Sequence, residues 1–176
     1  MLTDKEKNYC SEIASRVSRV RAFLNENVLA DPADPTTWHS FLSELCRIQG
    51  NISNDGSFIA TLLAKEYLQS KFRVDFDAAD KPQGASGVDI DVRTSEGQRI
   101  VAEIKTTVPY KTSDFGGSQA DHFKKDFAKL TASSADHKFL FVTDSQAFAF
   151  LQKEKYRKLI PGVRIVHLGT GREYSA

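Results

Sequence analysis

The sequence contains few cysteines and almost no net charge. Its two cysteines, Cys10 and Cys46, lie in segments with helical periodicity, which predicts reduced thiols in a cytoplasmic protein and disfavours a disulfide. The formal net charge is only +1, so the composition gives no signal for nucleic-acid binding. A DNA-binding protein of this composition would have to concentrate its positive charge on one face.

Long hydrophobic runs and sorting signals are also missing. The apolar runs are too short to span a bilayer, and the first ten residues, MLTDKEKNYC, lack the basic-then-apolar order of a signal peptide. These absences predict no association with a membrane. No repeat or low-complexity tract interrupts the 176 residues, and the 40% apolar content is typical of a globular protein. The length therefore predicts a single domain, residues 1–176.

The first third of the chain has the periodicity of helices. Residues 2–29 carry an apolar stripe at helical spacing, which the segment Asp31–Pro35 interrupts. A second apolar stripe ends at Gly50, and the segment Ser53–Gly56 offers a cap for a third helix. We therefore divide the domain into a helical extension, residues 1–52, and a core, residues 53–170. The extension either forms a dimer interface or packs on the core.

The core alternates between the periodicities of strands and helices. The predicted strands are residues 72–76, 88–93, 100–105, 138–143 and 163–168, and the predicted helices between the last three strands are residues 118–130 and 145–158. Strands separated by a helix pair in parallel through right-handed crossovers, whereas a hairpin is antiparallel. The pattern predicts an α/β fold with a mixed central sheet of about five strands flanked by helices.

Charged residues occupy the two strands of the central hairpin, GVDIDVRTSEGQRIVAEIKTT. A three-residue loop, Ser95 to Gly97, matches a common turn in which glycine takes the left-handed position. This loop places Asp89 opposite Glu103, with Lys105 two residues farther on the same face. A two-residue loop would place Asp89 among aliphatic side chains and is rejected.

Two opposed carboxylates repel each other unless a cation lies between them. Oxygen ligands without a nearby histidine or cysteine favour a hard cation, Mg²⁺ or Mn²⁺. The alternative is an ordinary solvent-facing sheet surface on which Asp89, Glu103 and Lys105 form cross-strand ion pairs. Asp91 is best interpreted as a solvated carboxylate or one that supports the site from outside it.

The motif resembles that of the PD-(D/E)XK nuclease superfamily, the fold of many type II restriction endonucleases. An aspartate, a hairpin and then Glu-x-Lys within the apolar run VAEIKTT carry the resemblance, although Val88 stands where the family has proline. The resemblance implies a restriction-endonuclease-like core in which Asp89, Glu103 and the carbonyl of Ile104 bind the metal. Lys105 would orient and activate the attacking water.

Two further catalytic positions follow from the same resemblance. Many relatives carry an acid on the helix before the sheet, for which Glu66 is the candidate, and some carry a glutamine after the motif, for which Gln119 is the candidate. Each has an alternative interpretation as a residue of a solvated helix surface.

Residues after the motif are candidates for contact with DNA. The loop TTVPYKTSDFGGSQ and the helix after it supply groups suited to phosphates or base edges: Thr106, Tyr110, Lys111, Thr112, Ser113, Lys124, Lys125 and Lys129. The loop at residues 77–87 is a second candidate for groove contact. For Lys124 and Lys125, a solvated helix face is the alternative.

The sequence therefore predicts a Mg²⁺-dependent endonuclease acting on double-stranded DNA, resembling a small type II restriction enzyme. An enzyme that cuts a palindrome symmetrically needs two sites, which predicts a homodimer. A repair or recombination nuclease of the same fold and a non-catalytic DNA-binding domain are the alternatives.

Overall fold

The structure, a computed structural model, describes residues 1–27, 34–81 and 85–176. The chain divides into two compact units, Met1–Asp55 and Gly56–Ala176. Parts of two predicted features, the break at Asp31–Pro35 and the loop at residues 77–87, lie outside the described residues. No helix in the described ranges combines the length and apolar character needed to cross a bilayer.

Two helices make up most of the first unit. Helix α1 (Asp4–Glu26) begins with a capping box, in which the Thr3 side chain and the Glu6 carboxylate each accept a backbone N–H from the other residue. Helix α2 (Pro35–Gln49) begins with proline in its first turn and ends at Gly50, whose φ of 64° confirms the predicted glycine stop. Both cysteines are free thiols, as predicted.

The second unit contains a five-stranded mixed sheet, which confirms the predicted α/β class. After helix α3 (Ile52–Phe72), its elements are β1 (Ile90–Arg93), β2 (Arg99–Lys105), α4 (Gly117–Ala132), β3 (His137–Val142), α5 (Ser145–Leu151), α6 (Glu154–Arg157), β4 (Arg164–His167) and β5 (Glu173–Ser175). The strands lie side by side in sequence order. The three central strands are parallel, and β1 and β5 run antiparallel to their neighbours at the edges.

Two sequence predictions about these elements are wrong. Residues 72–76 do not form a strand, because α3 continues to Phe72 and Arg73 then takes a left-handed conformation with a φ of 55°. The fifth strand is instead β5, whose three residues are too few to show a periodicity. The predicted helix at residues 145–158 is two short helices, α5 and α6, because the chain turns at Gln152 and Lys153.

Alternate residues of the central strands pack against opposite layers of helices. Val101 and Leu140 belong to a buried cluster that includes Phe123 and Phe127 of α4. On the other face, Ile100 and Ala102 belong to a cluster that includes Ala64 and Leu68 of α3. Since side chains alternate along a strand, Glu103 and Lys105 of β2 share the face of Val101, which α4 covers.

Candidate metal and nucleic-acid site

The hairpin between β1 and β2 has the predicted register. Ile90 pairs with Ala102 and Asp91 with Val101, and the Thr94 N–H donates to the Gln98 carbonyl at 2.9 Å. Gly97 closes the three-residue loop with a φ of 85°. Asp89, immediately before β1, therefore falls opposite Glu103.

The backbone ladder stops at the end of the hairpin that is remote from the turn. Its next pair would be Val88 and Ile104, but the Ile104 N–H donates instead to Asp89 Oδ2 at 2.7 Å. The carbonyl of Val88 accepts from the Lys81 ammonium. The N–H and C=O of one strand residue point to the same side, so the Ile104 carbonyl also faces the Asp89 side of β2. The Lys105 carbonyl faces β3, where it accepts from the Thr143 N–H at 3.2 Å.

An open cleft of about 310 Å³ lies at this end of the hairpin. The described residues that line it are Ser57, Thr61, Ala78, Lys81, Ala85, Gly87, Asp89, Glu103, Ile104, Lys105, Asp126 and Lys129. The three predicted metal-binding residues, Asp89, Glu103 and Ile104, thus share one cavity with the predicted catalytic lysine, Lys105. Asp89 is exposed, whereas Glu103 retains only 2% of its accessible surface.

Helix α4 adds an acid to the cleft that the sequence prediction missed. Asp126 is buried, forms an ion pair with the Lys105 ammonium and lies 3.0 Å from Lys129 Nζ. Lys129 Nζ also lies 3.2 Å from Glu103 Oε1, so this lysine bridges two carboxylates. A sequence signal for Asp126 does exist, because it shares the helix face of Phe123 and Leu130, at spacings of three and four residues. A carboxylate within an apolar stripe indicates a buried partner.

Charge is poorly balanced around Glu103. Burial, and then repulsion from Asp89 and Asp126, raises the pKa of Glu103 to about 8, although Lys129 opposes the shift. Burial also disfavours the ionised form of Asp126, but its pairing with Lys105 and Lys129 outweighs burial and holds its pKa below the ordinary value. The cations of the cleft therefore favour ionisation of Asp126 and leave the Glu103 charge under-compensated.

The donor chemistry of the cleft fits a hard divalent cation. Asp89 and Glu103 offer carboxylate oxygens, and the Ile104 carbonyl faces the same side of the strand. Within the described ranges, no group of three or more His, Cys, Asp or Glu side chains is placed to hold a metal ion. Mg²⁺ commonly uses one or two carboxylates and keeps several waters, so two carboxylates are a sufficient protein contribution.

The two additional catalytic candidates do not line the cleft. Glu66 is exposed on α3, and this helix contributes Ser57 and Thr61 to the cleft in its place. The side chain of Gln119 accepts from the Gly116 N–H at 3.3 Å and donates to the Val108 carbonyl at 2.9 Å. Gln119 therefore anchors the loop between β2 and α4, and neither residue is brought together with Asp89 and Glu103 in the cleft.

The loop at residues 106–116 is fastened by side chains from three helices. Besides Gln119 of α4, Gln146 of α5 donates to the carbonyls of Lys111 and Thr112 at 3.3 and 3.0 Å, and Tyr156 of α6 donates to Asp114 at 2.8 Å. These contacts use the loop backbone and Asp114. The candidate DNA-binding side chains Tyr110, Lys111, Thr112 and Ser113 remain exposed, and Thr106 is half-buried.

The two adjacent lysines of α4 differ in their surroundings. Lys124 forms an exposed ion pair with Asp121 at 3.1 Å. Lys125 lies one helical turn before Lys129, and His122 lies a further turn back, so these three share one face of the helix. The face that reaches the cleft therefore includes Lys125 and excludes Lys124.

Comparison with known proteins identified no relative: no family model, no curated protein and no solved structure matches this chain.

Proposed function

We propose that this protein is a Mg²⁺-dependent DNA endonuclease with a restriction-endonuclease-like core, which cuts double-stranded DNA at a specific site as a homodimer. The observation that carries the proposal is the meeting of Asp89, Glu103 and Lys105 in one cleft at the end of the β1–β2 hairpin. Mn²⁺ has similar ligand preferences and is expected to substitute for Mg²⁺.

Asp89, Glu103 and the Ile104 carbonyl are the groups that would hold the ion. When bound, the ion supplies charge neutralisation and Lewis acidity for phosphodiester hydrolysis. Asp89 is already oriented toward Ile104 by the hydrogen bond from the Ile104 N–H, 2.7 Å long. The raised pKa of Glu103 supports the proposal, because the cations of the cleft do not suffice to ionise this carboxyl.

Lys105 is the group that would act on the phosphate or the attacking water. Its side chain is 20% exposed, and the ion pair with Asp126 fixes its ammonium within the cleft. A positioned ammonium stabilises the negative charge that develops on the phosphate oxygens. Asp126 acts through Lys105 and is therefore a positioning residue.

DNA would reach the cleft along two surfaces formed by the segments that follow β2, the loop at residues 106–116 and helix α4. The fastened loop at residues 106–116 presents Tyr110, Lys111, Thr112 and Ser113 without further ordering of its backbone, which lowers the cost of binding. On α4, Lys125 and Lys129 face the same way and offer positive charge to the phosphates. This local concentration of charge is compatible with a net charge of +1.

The test is cleavage of supercoiled plasmid and of branched DNA by the pure protein with Mg²⁺. We expect discrete fragments with Mg²⁺ or Mn²⁺, none with EDTA, and none from Lys105→Ala. The matched control is Lys124→Ala, which removes an exposed lysine outside the cleft.

The pattern of products distinguishes the proposal from its alternatives. Preferential cutting of branched or nicked substrates would favour a repair nuclease of the same fold. Binding of DNA without cleavage of any DNA or RNA, across both ions, would contradict the enzymatic proposal and leave a binding domain. Sedimentation of the protein with and without a cleavable duplex tests the homodimer.

A further inference from the structure

Lys129 is the cleft lysine that contacts Glu103 directly. We propose that, in the metal-free protein, its ammonium holds the place of the divalent cation on Glu103, and that the ion binds by displacing it. The inference rests on the proposed metal site and adds a residue that controls how tightly that site binds.

The contacts of Lys129 carry the first step. Its Nζ lies 3.2 Å from Glu103 Oε1 and 3.0 Å from Asp126 Oδ1, so it sits between the two buried carboxylates. Lysine offers one compact positive charge to the oxygens that a hard cation would coordinate. A divalent cation on Glu103 and an ammonium at hydrogen-bond distance from the same carboxylate would repel each other.

The exposure of Lys129 carries the second step. Its side chain is 43% exposed, whereas that of Lys105 is 20% exposed. Lys129 can swing its ammonium into water on a flexible four-carbon stem. Asp126 stays paired with Lys105 when Lys129 leaves, so displacement strands no unpaired charge in the protein.

Direct measurement of ion binding tests the inference without nucleic acid. Mn²⁺ is titrated into the full-length protein and followed by calorimetry and by loss of the free-ion electron paramagnetic resonance signal, with Mg²⁺ as competitor. We expect Lys129→Met to bind Mn²⁺ about tenfold more tightly than the wild type, which corresponds to about 1.4 kcal/mol. Lys124→Met is the control, because it makes the same charge change on the same helix away from Glu103.

Thermal unfolding provides a second readout and shows whether the variant folds. In EDTA, Lys129→Met is expected to melt below the wild type, because Glu103 and Asp126 lose a shared cation. Mn²⁺ is expected to raise its melting temperature by more than it raises that of the wild type. Lys129→Gln keeps a hydrogen-bond donor without the charge, and the same direction of change is expected.

The outcomes separate this inference from the proposed function. If the wild type binds Mn²⁺ and both Lys129 variants bind it no more tightly, the displacement is overturned while the metal site stands. If neither the wild type nor any variant binds Mn²⁺ or Mg²⁺, the proposed function is overturned as well. If Lys124→Met binds Mn²⁺ as tightly as Lys129→Met does, the displacement is overturned, because the change in net charge would then explain the effect.

Discussion

Two buried or half-buried carboxylates in the same unit have opposite electrostatic environments. Glu103 in the cleft lies near two other acids, and burial with their repulsion raises its pKa to about 8. Asp114, which fastens the loop at residues 106–116, accepts from Lys155, Tyr156 and the Phe115 N–H, and the Lys153 ammonium lies 3.8 Å away. Burial opposes its charge, but these donors outweigh burial and lower its pKa to about 2.

The ionised form of Asp114 therefore stabilises the fold, whereas the ionised form of Glu103 destabilises it. Asp114 has a surplus of donors, so its charge strengthens the native loop. Glu103 has a shortage, and carboxyl groups with pKa values shifted this far cluster at functional sites. Asp91, on the same hairpin as Asp89, provides an internal standard, because Arg99 pairs with both of its oxygens at 2.9 and 2.6 Å.

The largest expected effect is on the rate of DNA cleavage and concerns Asp89. Asp89→Asn keeps an oxygen that can accept from the Ile104 N–H but loses the charge, so plasmid cleavage with Mg²⁺ should fall at least about 100-fold. Asp91→Asn, two residue pairs farther along the hairpin and balanced by Arg99, should cleave at nearly the wild-type rate. Equal loss of activity in both variants would show that the hairpin, and not the cleft, is what the substitutions damage.

The next effect concerns stability at Glu103. Glu103→Gln removes a buried carboxyl that, with its pKa raised to about 8, must take up a proton when the protein folds at neutral pH, while Asp126 keeps both lysines. The metal-free protein should therefore gain about 2 kcal/mol in free energy of unfolding. Urea unfolding of the wild type and the variant at neutral pH with EDTA measures this gain in stability. A loss of stability instead would mean that the contact with Lys129 outweighs the cost of keeping this carboxyl buried.

Asp114 should behave in the opposite way and depend on pH. Asp114→Asn should lower the free energy of unfolding by about 2 kcal/mol at neutral pH, because charged hydrogen bonds to the loop are lost. The folded-state pKa of Asp114, about 2, lies below its ordinary value of 3.8, so its contribution is present above pH 3.8 and disappears as the pH falls toward 2. Urea unfolding of both proteins across this range should show their stabilities converging, and a constant difference would contradict the assignment.

The smallest effect sharpens the contrast between neighbouring lysines of α4. Lys125 shares the face of Lys129, so Lys125→Ala should make the fall of log affinity for DNA with log salt shallower, reducing the magnitude of the slope by about 1. Lys124→Ala should leave the slope nearly unchanged, because Lys124 already pairs with Asp121. The measurement uses fluorescence anisotropy of a labelled duplex in EDTA, where cleavage is not expected. A larger change for Lys124 would place the DNA on another face of the helix.

Much of the second unit could be predicted from local patterns. The register of the β1–β2 hairpin follows from Gly97 and from alternation, and both are properties of consecutive residues. The parallel pairing of β2 with β3 and of β3 with β4 follows from the helices between them. The strand β5 could not be predicted, because three residues carry no usable period and its position depends on pairing with β4.

The candidate site was predictable only where it is local in sequence. Asp89, Glu103, Ile104 and Lys105 come from one hairpin, and the turn brings them together. Asp126 and Lys129 come from a helix whose rotation is set by packing of Phe123, Phe127 and Leu130 on the sheet. Gln119 is a catalytic candidate through the family resemblance alone, and its contacts with the Gly116 N–H and the Val108 carbonyl depend on a loop conformation that the sequence does not reveal.

The edges of the sheet have a practical consequence for handling the protein. Both edge strands are short, with four residues in β1 and three in β5. A row of unpaired backbone groups of that length is a poor template for a foreign strand, so the sheet resists growth into aggregates. Concentrated samples should therefore remain free of fibrillar association, which favours crystallisation of the core.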